Sequence, residues 1–71
     1  MIMKIYSVQD TLIGFGAPVI YPKEELIKRD YKNMLQNDPN SADKRLFEIG
    51  TFDTESGTII GITPKCIMGG K

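Results

Sequence analysis

The sequence contains no histidine and only one cysteine, Cys66, and these two scarcities remove most catalytic chemistry before any pattern is read. Without histidine, Ser–His and Cys–His nucleophile pairs cannot be assembled. One thiolate and no imidazole cannot furnish the four ligands of a structural zinc. A lone cysteine also has no partner for a disulfide within the chain, and a single unpaired thiol fits a reducing compartment. No apolar run approaches the roughly 18 residues that span a bilayer. The opening Met1-Ile2-Met3-Lys4-Ile5-Tyr6 has neither the charged n-region nor the long h-region of a signal peptide, so cytoplasm is the expected location. There is no net charge either: 9 basic residues balance 9 acidic ones, which leaves no overall field to steer a nucleic acid or an acidic partner. No enzymatic activity, cofactor, metal, membrane or small-molecule substrate is expected.

A chain of 71 residues has room for one core. A domain of this size buries only about 60% of the surface its unfolded chain exposes. Small domains make up the deficit with disulfides, metals or association. With the first two removed, self-association, most simply as a homodimer, is the expectation. The pattern places the domain in residues 1–63 and a flexible C-terminal tail in 64–71.

What is present reads as an α+β domain. Ile2–Val8 is a strand, with Ile2, Tyr6 and Val8 on one face and Met3 and Ile5 on the other. Asp10-Thr11 opens a turn, and Gly14 and Gly16 lend backbone freedom around Phe15. Ala17–Tyr21 is extended, and Pro18 assigns it to a sheet edge because proline cannot donate to a ladder. The helix follows over Lys23–Gln36. Pro22 suits its first turn, and Glu24 and Glu25 suit the positive end of its dipole. Ile27, Tyr31, Met34 and Leu35 repeat as a core-facing stripe, with Leu26 at its margin. Glu24 and Glu25 stand four residues before Lys28 and Arg29, the favourable ion-pair orientation. Pro39 within Asn37–Asn40 stops the helix.

A polar loop leads to a second strand, Arg45–Phe52. Strict alternation puts Leu46, Glu48, Gly50 and Phe52 on one face and Phe47, Ile49 and Thr51 on the other. Asp53–Gly57 is a hairpin loop with Gly57 at a left-handed position. Thr58–Ile62 returns, and Pro64 ends the strand. The expected architecture is β-β-α-β-β, a single helix packed on a small antiparallel sheet.

Three groups of residues invite a chemical reading. Asp10, Asp53 and Glu55 are acids of the kind that gather around a divalent ion, but acids at turn positions ordinarily bond the local backbone. Gly14-Phe15-Gly16 lacks the spacing and the following lysine of a phosphate loop. The third group has a physical basis. Lys28 and Lys32 lie one helical turn apart with Arg29 adjacent, and Lys44 and Arg45 enter the second strand, so these five can contact phosphates. Aromatics on strands can stack unpaired bases. Against this stand the intrahelical glutamates and the demand of a small core for rings. Cys66, beside Lys65, reads as an incidental thiol.

Three stretches taken in order carry a family resemblance. They are Lys4-Ile5-Tyr6-Ser7-Val8-Gln9-Asp10, then Arg29-Asp30-Tyr31, then Leu46–Asp53 followed by Ser56-Gly57. Together they resemble the small non-structural protein of gokushovirus-type microviruses, tailless phages with circular single-stranded DNA genomes. The resemblance covers about residues 3–62. It implies a protein made in the cytoplasm of the infected bacterium and absent from the mature virion. It also implies an association with viral single-stranded DNA synthesis or its coupling to packaging, through DNA or the replication machinery. The resemblance assigns that role to no particular residue, so the five cations rest on charge and spacing alone. One departure is visible: Pro22-Lys23 stands where many relatives place Asn or Asp before the helix. The alternative reading is a protein-interaction module that never touches DNA.

Overall fold

The computed structural model describes residues 1–69, and these form one helix on one face of a five-stranded antiparallel sheet. The strands are β1 (Ile2–Asp10), β2 (Gly14–Phe15), β3 (Val19–Tyr21), β4 (Lys44–Asp53) and β5 (Ile59–Met68). Helix α1 (Glu24–Gln36) lies between β3 and β4, followed by a single 3-10 turn at Ser41–Asp43. The main path across the sheet is β2-β1-β4-β5, and β3 also pairs with β1. The element order is therefore β-β-β-α-β-β, not the expected β-β-α-β-β. The extra strand arises where Gly14, at φ 124°, turns the chain so that Phe15 and Gly14 pair with Gln9 and Asp10. That backbone region is one that L side chains rarely occupy.

The helix forms where its apolar spacing predicts. Ile27 and Tyr31 are buried, with Leu35 packed beside them and Met34 left exposed at the margin. Lys23 occupies the N-cap position and makes no side-chain cap bond, the structural counterpart of the missing Asn or Asp. The first turn relies instead on Glu24 and Glu25 against the dipole.

β1 and β4 are the central pair, and their register holds a β-bulge. Ile5 pairs with Gly50 and Tyr6 with Glu48, so Ile49 is an extra residue in β4. A single inserted residue reverses the alternation beyond it. Leu46 and Phe52 were expected on one face; the bulge separates them. Leu46 faces the helix opposite Val8, while Phe52 shares the outer face with Met3. At the same place Gly50 lies close to β5: a Cβ there would stand 2.5 Å from the carbonyl oxygen of Ile60. The Asp53–Gly57 turn forms as read, with Gly57 at φ 75° and its N–H donating to the Asp53 carbonyl at 2.8 Å.

β5 does not stop at Pro64. The ladder with β4 breaks between Gly50↔Gly61 and Glu48↔Lys65, and Pro64 lies within that break. On an outer edge its missing N–H forfeits no ladder bond. Pairing then resumes with Phe47↔Cys66 and Leu46↔Met68. Residues 64–68, expected as flexible tail, are strand, and Ile67 and Met68 pack against the core. Residues 70 and 71 of that tail lie outside the described residues. The core itself is small: Tyr6, Ile27, Tyr31 and Leu46, with Val8, Tyr21, Leu35, Ile67 and Met68 partly buried around it.

A core with so few members makes each one costly to truncate. Leu46 is 0% exposed, so Leu46→Ala should cost about 2–5 kcal/mol. That is comparable with the whole stability of a domain this size, roughly 4–10 kcal/mol at the usual value per residue. Leu35→Ala, at the rim, should cost clearly less. Urea denaturation of both variants orders them, and an equal or larger loss at Leu35 would contradict this packing.

Candidate nucleic-acid interface

The five candidate cations do not converge on one surface. α1 turns Arg29 and Lys32 outward, three residues apart on the exposed side. Lys28 sits at the flank of the helix, where its Nζ lies 2.8 Å from a Glu24 carboxylate oxygen. That hydrogen bond holds the Glu24 carboxyl below the usual carboxylate range. The parallel pairing of Glu25 with Arg29 does not form; the Arg29 guanidinium leans to its neighbour Asp30 at 3.4 Å. Asp30 is drawn there by a second partner: it accepts a 2.7 Å hydrogen bond from the Tyr21 hydroxyl, which anchors the helix to β3.

Lys44 and Arg45 are adjacent in sequence and opposite in space. Lys44 is opposite Asp10 on the helix side of the sheet, and its Nζ reaches Asp38 at 2.6 Å. This contact lowers the Asp38 pKa and raises that of Lys44, as expected when a hydrogen bond favours the charged form of each. Arg45 pairs with Gln9 on the outer face, the face of Phe15 and Phe47. Those two rings meet edge to face at 5.3 Å. Among the described residues, Lys32 and Arg45 are the two of the five that make no ion pair.

The acids do not gather. Asp10 and Asp53 stand at opposite ends of the β1–β4 ladder. Each caps its own turn: Asp10 accepts the Leu12 N–H and Asp53 the Glu55 N–H, both at 2.9 Å. Cys66 is free and exposed on the edge strand.

Two features were missed by the sequence reading. One is polar and lies beneath the helix N-terminus. There Lys4 pairs with buried Glu48 at 3.3 Å, across the bulge from its ladder partner Thr51. Beside them the buried Tyr6 hydroxyl has no hydrogen-bond partner among the described residues. Burial, then the nearby Glu24 and Glu48 charges, push its pKa up to about 12. The other is apolar: the outer sheet face has a groove of about 270 Å³ lined by Ile5, Pro18, Ile20, Ile49 and Ile59 alone. The alternation of β1 hinted at it, but the bulge at Ile49 concealed its extent.

By architecture, this is a small α+β protein in which one short helix covers one face of an antiparallel sheet and leaves the other open. The chain belongs to the Phage ORF5 protein family, whose model matches residues 3–71, and so to a family of bacteriophage proteins. No curated protein and no solved structure matches it.

The Tyr21–Asp30 bond is sensitive to pH at both of its ends. The Asp30 pKa is lowered from 3.8 chiefly by this bond, so its stabilisation is full above that value and fades as pH falls through the lowered one. The Tyr21 pKa is raised from 10.0, so the same stabilisation is lost again as pH rises through the raised value. Tyr21→Phe should lower the urea midpoint at neutral pH, with the difference from wild type closing as pH falls through the lowered Asp30 pKa. A difference that persists undiminished in acid would show that the ring, not the hydrogen bond, is responsible.

Proposed function

We propose that the protein is a non-enzymatic accessory protein of a gokushovirus-type microvirus, acting in viral single-stranded DNA synthesis or its coupling to packaging within the cytoplasm of the infected bacterium. It acts there by binding DNA or the replication machinery and is absent from the mature virion. The phage family supports the setting, and the three sequence stretches support the narrower group. The observation that carries the DNA reading is the outward pair on α1. Lys32 has no carboxylate partner among the described residues, and Arg29, two-thirds exposed, has only a long contact. Lys28 and Lys44 are held by Glu24 and Asp38 and contribute less. Arg45, on the opposite face, cannot share one straight strand with the helix pair.

A second reading, a module that binds a host or viral protein without touching DNA, is favoured by the apolar outer face, whose one charge among the β1 and β4 positions is Arg45 at the end of the ladder. The two readings respond differently to salt, because phosphate contacts release counterions. Fluorescence anisotropy on a labelled single-stranded oligonucleotide separates them. Binding should appear at low salt and weaken steeply towards physiological salt. Arg29→Ala with Lys32→Ala should weaken it for all sequences alike and reduce the slope of log K against log salt by about 1.4, the value for two lost phosphate contacts on a single strand. Absence of binding at low salt would leave the protein-binding module as the reading.

A further inference from the structure

One helix leaves the other side of this sheet without a covering layer, although Ile5 and Ser7 on that side are already buried by their neighbours, and the bulge concentrates apolar groups there. Ile5, Phe47, Ile49 and Phe52 come from the central strands, Ile20 from β3 and Ile59 from β5. The charges go the other way. Lys4, Asp10, Lys44 and Glu48, all in β1 and β4, have register positions on the helix side, and Arg45, at one end of the ladder, is the outer-face exception. Ile20 and Ile59 remain 44% and 64% exposed in the single chain.

We propose that this outer face docks a second copy of the same chain, the two sheets packing face to face about a two-fold axis. In a two-fold interface a patch meets itself. A charged patch would repel its copy, whereas a nearly uncharged apolar one is complementary to itself without any further device. The dimensions agree. The molecule measures 40 × 21 × 16 Å, so the outline of its broad side is of the same order as the ~800 Å² that each partner contributes to a stable interface. Packed sheets lie about 10 Å apart with side chains interdigitated, and the groove beside Ile5 and Ile49 is open to receive such a side chain. The competing mode, edge-to-edge addition along β5, is obstructed. That strand breaks register twice and carries Pro64, features that blunt an edge. The pairing is independent of the DNA reading, since it uses neither Arg29 nor Lys32.

Sedimentation equilibrium at about 10 µM, above a Kd of about 1 µM, tests it with three proteins. The wild type should run at twice its 8.0 kDa chain mass. Ile20→Lys with Ile59→Lys should run as a monomer with an unchanged circular dichroism spectrum, because both side chains are exposed in the single chain. Ile60→Lys is the control: Ile60 is similarly exposed at 59% but pairs with Thr51 on the helix side, and its dimer should survive. A monomeric wild type overturns the proposal. So does a dimer that persists in the double lysine variant, or one that Ile60→Lys also dissolves. Capture of a host or viral protein by a monomeric wild type, lost in the double variant, would assign the face to that partner instead.

Discussion

Every other arrangement in this protein depends on the antiparallel ladder between β1 and β4. The two strands pair along their full length, and each supplies residues to both sides of the sheet. Pairing sorts the chain by chemistry, since residues opposite one another share a face. Val8 with Leu46 and Tyr6 with Glu48 face the helix; Ser7 with Phe47 and Ile5 with Gly50 face away. A slip of one residue would exchange these sets and leave α1 resting on the wrong face. The bulge at Ile49 is a local slip made permanent. It brings Lys4 across to Glu48 and sets Ile49 and Phe52 on the outer face. Gly50 accommodates the close approach of β5 at that point.

The second constraint is the shortness of the helix. Thirteen residues span about 20 Å, half the long dimension of the molecule. The core therefore clusters around Tyr6, Tyr31 and Leu46, and polar contacts fasten the helix where apolar ones run out. Tyr21 with Asp30 ties its middle to β3, and Lys44 with Asp38 ties the loop after its C-terminus to the start of β4. Partly exposed bonds of this kind contribute modestly. They matter because a core this small leaves few alternatives.

The elements that could be read from the sequence are those governed by local rules. The 3.6-residue spacing of Ile27, Tyr31 and Leu35 marks α1 to within a residue, and Gly57 marks the hairpin. Glu24 with Lys28 follows from spacing alone. The elements that could not be read depend on partners distant in sequence. Nothing about Ile49 signals a bulge, because the extra residue exists only relative to β1. Gly14 signals a turn, but not that Phe15 will find Gln9. Pro64 breaks a central strand and is harmless on an edge, and edge position is a property of the sheet. The candidate interface divides the same way. Which residues are cationic is plain in the sequence. That Lys44 folds back to Asp38, and that Arg45 faces away from the helix, becomes visible only once the strands are paired.

The order of the strands has a kinetic meaning as well. The β1–β4 pairs join residues 34 to 51 positions apart, from Asp10–Lys44 to Ile2–Asp53, whereas Phe52 and Ile59 are neighbours across a short turn. Closing the long loop costs chain entropy before any contact rewards it. A topology dominated by such non-local pairing folds more slowly than a helical bundle of equal size. Loop-closure entropy thus favours a route in which α1, the β4–β5 hairpin and the local pairs of β1 with β2 and β3 form early, and the β1–β4 ladder that joins the two halves closes last.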